Sequence, residues 1–264
     1  ARRRELLGEF ADAGVQMVWI WPYDQGGCTC SMCKPWGANG FLRLAAPLSR
    51  MVRSYFPGAQ IILSTWDFDS FTTGEWDGLA GFALEHGLDW ADCLLADSRA
   101  AHYPRYILEH GVPGNLPLLG FPEISMYGAV PWGGFGANPL PGMIQQLWDK
   151  VKSLQSGGFP YSEGIFEDIN KAICARFYWG DTDDAWDAVR EYARYEYGQD
   201  VVDDVCAAIT LLEKTIVRRR LDEVGREHIH PRYSIPWVGV QRFVIEHPAG
   251  VDEACQLLRG ASRR

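Results

Sequence analysis

Residues 15–25 read VQMVWIWPYDQ, and this stretch decides the fold class. Val15–Trp21 is an apolar, strand-like run, entered from an amphipathic helix-like segment that ends at Gly14. Tyr23, Asp24 and Gln25 stand at its end. Working outward, Gly40–Phe56 has apolar residues near helical spacing and is stopped by Pro57-Gly58. Gln60–Trp66 (QIILSTW) is the next strand and Glu75–His86 the next helix, closed by Gly87. Asp92–Asp97 is a third strand, followed by a helix around Tyr103–His110. Leu116–Ile124 is a fourth, followed by a Gly-, Pro- and aromatic-rich loop and a helix from Pro141 to about Gln155. Gly157–Tyr161 is the fifth and weakest strand, with a helix over Ile165–Tyr178.

Strands alternating with helices predict parallel α/β structure. A doubly wound open sheet would give the same alternation. However, no strand leads into a Gly-rich phosphate loop, and every strand leads into acidic or aromatic residues. The expectation is therefore the C-terminal five βα units of a TIM-type (β/α)8 barrel, occupying residues 1–180 as a partial catalytic domain. After Gly180 the pattern becomes helical. Trp186, Val189, Tyr192, Ala193 and Tyr197 form one stripe; Val202, Val205, Ile209, Leu212 and Ile216 form another. Residues 181–264 are expected to be a helical C-terminal region.

The composition limits the partners. Hydrophobic residues make up 47% and charged residues 22%, enough apolar content for a real core. With 34 acidic against 25 basic residues the net charge is −9, which argues against a nucleic-acid partner. No apolar run approaches the roughly 18 residues that would span a bilayer, so no membrane role is expected. Seven cysteines fit a reducing compartment better than a disulfide framework, favouring the cytoplasm. The chain opens on Ala1 inside what reads as a helix, so an N-terminal barrel half or further domain is expected beyond it.

In a barrel of this kind the active site lies at the C-terminal strand ends. Those ends offer Tyr23 and Asp24, then Trp66, Asp67 and Asp69, then Asp97 and His102, then Glu123 and Tyr127, and finally Tyr161 and Glu163. Paired carboxylates beside aromatic rings suit glycoside hydrolysis. One acid protonates the leaving oxygen while the other attacks, activates water or stabilises the oxocarbenium-like transition state. The plain counter-reading is that Asp67, Asp69 and Asp97 only cap helix N-termini.

The loop WIWPYDQGGCTCSMCKPWGANGFLRL (19–44), with IILSTWDF (61–68) and GGFPYSEGIFEDINKAICARFYWG (157–180), resembles the barrel of bacterial glycoside hydrolases allied to β-hexosaminidases and α-glucuronidases. The resemblance runs over about residues 10–215 and includes WDAVREYARYEYG (186–198), similar to the helical region that trails such barrels. It implies that the first strand here is the fourth of eight, with Asp24 as the acid-bearing strand end. Where hexosaminidases have two adjacent acids this chain has Asp24-Gln25, which speaks against substrate-assisted hydrolysis of N-acetylated sugars. Glu123, ending the implied seventh strand, falls where many barrel glycosidases keep their nucleophile, and Glu163 follows the eighth.

The expected catalytic residues are thus Asp24, Glu123 and Glu163. Tyr23, Trp66, Asp67, His102, Tyr127 and Tyr161 are the expected sugar-binding residues. Alternative expectations are a non-catalytic carbohydrate-binding barrel and a metal-dependent barrel hydrolase. No cofactor is required, but Cys28, Cys30 and Cys33 form C-x-C-x2-C, a spacing that can hold a structural zinc if a fourth ligand joins them. The remaining four cysteines read as core, and His228 and His230 as an exposed or packed pair rather than a metal site.

Overall fold

The computed structural model describes residues 2–22, 28, 30–70, 72–99, 103–125, 139–162, 168–215, 218–220, 243–245 and 249–263. The chain is a mixed α/β protein with a parallel sheet and two compact units. The first unit takes residues 1–97, 103–121 and 153–158; the second takes 98–102, 122–152 and 159–264.

In the first unit, α1 (Arg2–Glu9) precedes β1 (Met17–Ile20), and a π-helical turn (Gly37–Leu42) runs directly into α2 (Arg43–Tyr55). Then come β2 (Gln60–Ser64), α3 (Glu75–His86), β3 (Cys93–Arg99), whose last two residues fall in the second unit, and α4 (Arg105–His110). β4 (Leu118–Ser125) begins here and ends in the second unit, and β5 (Gln155–Gly158) completes the set. The strands pair in the order β1-β2-β3-β4-β5. β1 aligns Met17–Ile20 with Gln60–Leu63 of β2 in parallel, and β2 aligns Ile62–Ser64 with Cys93–Leu95 of β3. Each strand thus lies beside its predecessor, without the order reversal that marks a doubly wound sheet.

The run QIILS buries on both faces: Ile61, Ile62 and Leu63 are at most 1% exposed, as are Leu94, Leu95 and Ala96 of β3. Continuous apolar strands of this kind are what a parallel sheet covered by helices requires. Asp92 closes the start of β3 onto β2 and α2. Its carboxylate accepts the Ile61 N–H at 2.6 Å and pairs with Arg53 at 2.8 Å. α3 packs against the π-helical turn through a glycine. A Cβ on Gly78 would stand 2.8 Å from the Ala38 Cβ.

The second unit holds the end of β4, β6 (Tyr161–Ser162), α5 (Pro141–Val151), α6 (Asp168–Trp179), α7 (Ala185–Tyr197), α8 (Val202–Thr215) and α9 (Ala249–Ala261). α5 starts on Leu140 and Pro141, neither of which has a side chain that can cap a helix. Its free N–H groups are satisfied from other helices. Asn170 of α6, fully buried, accepts the Leu140 N–H at 3.0 Å, and Glu213 of α8 accepts both Gly142 and Met143 at 3.0 Å. Pro141 has no N–H to satisfy. The turn between α6 and α7 is held to α5: Trp148 Nε1 donates to Asp183 at 2.8 Å, and Gln145 accepts the Ala185 N–H at 2.7 Å. The Asp184 carboxylate caps α7 by accepting the Trp186 N–H at 2.8 Å.

Two expectations need correction. The fifth strand is two short pieces, β5 and β6, with Phe159 and Pro160 between them; a proline cannot donate to a ladder. The region after 180 is not wholly helical. α8 ends at Thr215, and β7 (Arg218–Arg220) pairs antiparallel with β8 (Phe243–Ile245). Arg218–Arg220 takes its strand partner from more than 20 residues further along, which no local periodicity announces.

Candidate functional site

Strand ends in the first unit carry a cluster of four aromatic rings. Trp19 and Trp21 are two residues apart in an extended segment, so both project to one face. Their rings stack at 5.7 Å with an 11° interplanar angle. Trp66, two residues past β2, tilts against Trp21 at 5.2 Å. Phe121 of β4 meets all three edge-on: Trp19 at 5.9 Å, Trp21 at 5.2 Å and Trp66 at 5.7 Å. Phe121 is buried, Trp21 and Trp66 are half-buried, and Trp19 is exposed. Of these rings the sequence reading singled out only Trp66. The W-x-W alternation was the available signal for the other tryptophans; nothing local marks Phe121.

Beyond Trp66 the backbone turns sharply. Asp67 and Asp69 both adopt left-handed conformations, φ 57° and 64°, which Asp tolerates better than most residues. Asp67 is buried, and its carbonyl accepts the Ser70 N–H at 3.0 Å. Asp69 and Glu75 exchange backbone hydrogen bonds: Asp69 accepts the Glu75 N–H at 2.7 Å, and Glu75 accepts the Asp69 N–H at 2.9 Å. The other Glu75 oxygen accepts the Gly37 N–H at 3.3 Å. Burial pushes the Glu75 carboxyl above its ordinary value, the two N–H donors oppose that, and the charges of Asp69 and Asp67 add to it. Asp69 therefore does serve the start of α3, in a reciprocal arrangement like a capping box. Asp97 lies within β3. Glu75, read from sequence only as the first residue of a helix, is the carboxylate that ties three segments together.

Next to Asp97 in its electrostatic surroundings is Tyr103, whose phenol burial raises well above the usual range. A hydrogen bond from Gln155 Nε2, at 3.1 Å, works against that rise, and the Asp97 charge reinforces it.

In the second unit, Glu123 occupies the end of β4 at 1% exposure. Its position is the parallel register partner of Tyr161 on β6, and Ser125 is that of Ser162. Glu123 and Tyr161, each an expected site residue, thereby stand side by side on neighbouring strands, with Tyr161 half-buried. Tyr23, Asp24, His102, Tyr127 and Glu163 lie outside the described residues.

The cysteine loop forms the second cluster of the first unit. The thiols of Cys28, Cys30 and Cys33 all lie within 4.8 Å of one another, a group able to bind a metal. Cys28 and Cys30 are exposed and Cys33 half-buried. A tight turn sets the spacing: the Cys30 carbonyl accepts the Cys33 N–H at 3.1 Å and the Lys34 N–H at 3.0 Å. The Cys30 thiol is lowered to about 7, chiefly by hydrogen bonding from Cys28 and then by the Cys33 and Met32 backbone N–H groups. The Cys33 thiol is raised to about 11, first by its hydrogen bonds with Cys30 and Cys28. In contrast, the fully buried Cys174 is pushed up to about 12 by burial alone.

Compared with models of protein families, with curated proteins and with solved structures, the chain matches none.

Proposed function

We propose that the chain is a glycoside hydrolase whose βα units belong to a (β/α)8-type barrel. The sequential parallel order of the five strands supports that architecture over a doubly wound sheet. The observation that carries the functional reading is the Trp19–Trp21–Trp66–Phe121 cluster at strand ends of the first unit. Half-buried indole faces suit stacking on the apolar faces of sugar rings, and the −9 net charge does not oppose a neutral glycan.

In this reading Asp24 is the proton donor or stabiliser, and Glu123 or Glu163 is the second carboxylate. Tyr23, Trp66, Asp67, His102, Tyr127 and Tyr161 orient the sugar. In this reading the cysteine group takes no part in bond cleavage. A panel of aryl glycosides and oligosaccharides tests the assignment. Asp24→Asn, Glu123→Gln and Glu163→Gln are compared with the wild type on whichever substrate turns over. Loss of an acid or base of this kind lowers kcat by about 10²–10⁴. Trp66→Ala, by contrast, should mainly raise KM. Full hydrolysis by all three carboxylate variants would sink the assignment.

One observation favours a second reading, a carbohydrate-binding protein without turnover. Asp69, one of the strand-end carboxylates, and Glu75 at the start of α3 are engaged in holding backbone N–H groups. That reading expects glycan binding sensitive to Trp66→Ala and no hydrolysis of any glycoside.

A further inference from the structure

We infer that Cys28, Cys30 and Cys33 bind one zinc ion as three thiolates, leaving its fourth position open to a small ligand from solution. This goes beyond the carbohydrate reading and does not depend on it. The geometry comes first. A tetrahedral ion with Zn–S bonds of about 2.3 Å needs sulfurs about 3.8 Å apart. The three thiols already lie within 4.8 Å of one another, so closing on an ion takes side-chain rotations and no rearrangement of the fold.

Half of the site is preformed. The Cys30–Cys33 turn is held by two N–H groups on the Cys30 carbonyl. The Lys34 carbonyl then accepts Asn39 Nδ2 at 2.8 Å, and the Pro35 carbonyl accepts the Asn39 N–H at 3.0 Å, anchoring the turn to the π-helical segment.

The donor set selects the ion. Three sulfur donors disfavour calcium and magnesium, which take oxygen. An iron–sulfur cluster commonly needs four cysteines. A disulfide can join only two of the three thiols and would strand the third. Among the described residues no further His, Cys, Asp or Glu joins the group, and Cys28 and Cys30 are exposed.

The test uses the full chain, purified reduced and without chelator, with zinc counted by atomic emission. About one zinc per chain is expected. After chelator treatment, cobalt(II) should give a thiolate-to-cobalt charge-transfer band that saturates at one equivalent. The band should be lost in Cys30→Ser and in Cys33→Ser and kept in Cys255→Ser. Imidazole should shift the cobalt d–d bands, because it fills the open position. If the serine variants do not fold, wild-type protein gives the same answer through alkylation. Zinc should then protect Cys28, Cys30 and Cys33 from iodoacetamide, as read by peptide mass. Absence of the cobalt band in protein with all seven thiols reduced overturns the site, as does a band that survives both variants or no zinc protection. Bands unmoved by saturating imidazole overturn the open fourth position.

Discussion

Glu213→Ala should destabilise the second unit through a helix that does not contain residue 213. The carboxylate lies on α8, yet its two oxygens take the Gly142 and Met143 N–H groups of α5, each at 3.0 Å. Leu140 and Pro141 provide no local cap, so removing the carboxylate leaves two donors of the first turn without an acceptor. Hydrogen bonds to a charged acceptor contribute about 1.5–3 kcal/mol each when isolated, and a shared acceptor gives less than the sum. Loss of a negative charge at a helix N-terminus adds about 0.3–1 kcal/mol. The expected cost is about 2–4 kcal/mol, or roughly 4–16 °C in Tm for a domain of this size. Glu213→Gln keeps one acceptor oxygen and should lose about half as much. Glu196, an exposed residue of α7, provides the control, with Glu196→Ala staying within about 0.5 kcal/mol of wild type. Urea unfolding followed by tryptophan fluorescence and by far-UV dichroism reads the difference. If Glu213→Ala also stays within about 0.5 kcal/mol, the account of α5 as capped from α8 is wrong.

Three further outcomes follow from the geometry. Gly78→Ala places a methyl group 2.8 Å from the Ala38 Cβ and 3.0 Å from Pro35 Cγ, and should cost about 1–3 kcal/mol in urea unfolding. In metal-free, reduced protein, iodoacetamide should modify Cys30 ahead of Cys33 and Cys174. Its rate should rise as pH passes through about 7 and then level off, because only the thiolate attacks and Cys33 is held near about 11. Equal labelling rates at pH 7 would contradict the hydrogen-bonding account. For Glu75 the folded-state value is raised, so the unfolded chain releases its proton first as pH increases. Its contribution to stability is present below the ordinary carboxyl value and lost as pH climbs through the raised one. Glu75→Gln should therefore flatten that part of the stability–pH curve; an unchanged slope would remove Glu75 as its source.

The alternation of apolar runs with helical periodicity was enough to locate β1 to β4, because a strand buried on both faces must be apolar throughout. Ile61–Leu63 and Leu94–Ala96 meet that demand within the stretches read as strands. The helix over Glu75–His86 was legible to the residue, with Gly87 stopping it at a positive φ of 71°. The C-x-C-x2-C loop also declared itself, since neighbours in sequence cannot be far apart in space.

What no local pattern carries is the identity of partners distant along the chain. Phe121 completes the tryptophan cluster from 100 residues beyond Trp21, and Glu213 caps α5 from 70 residues beyond Met143. The same holds for Glu75, whose two oxygens bind backbone 38 and 6 residues away. Sequence alone thus determined the element types from β1 to β4 and the local clusters, because propensity, periodicity and spacing act over a few residues. Only the tertiary structure decided strand order, the splitting of the fifth strand, the β7–β8 pair and which carboxylates hold backbone. Those depend on packing and hydrogen bonds between segments that the chain brings together only when it folds.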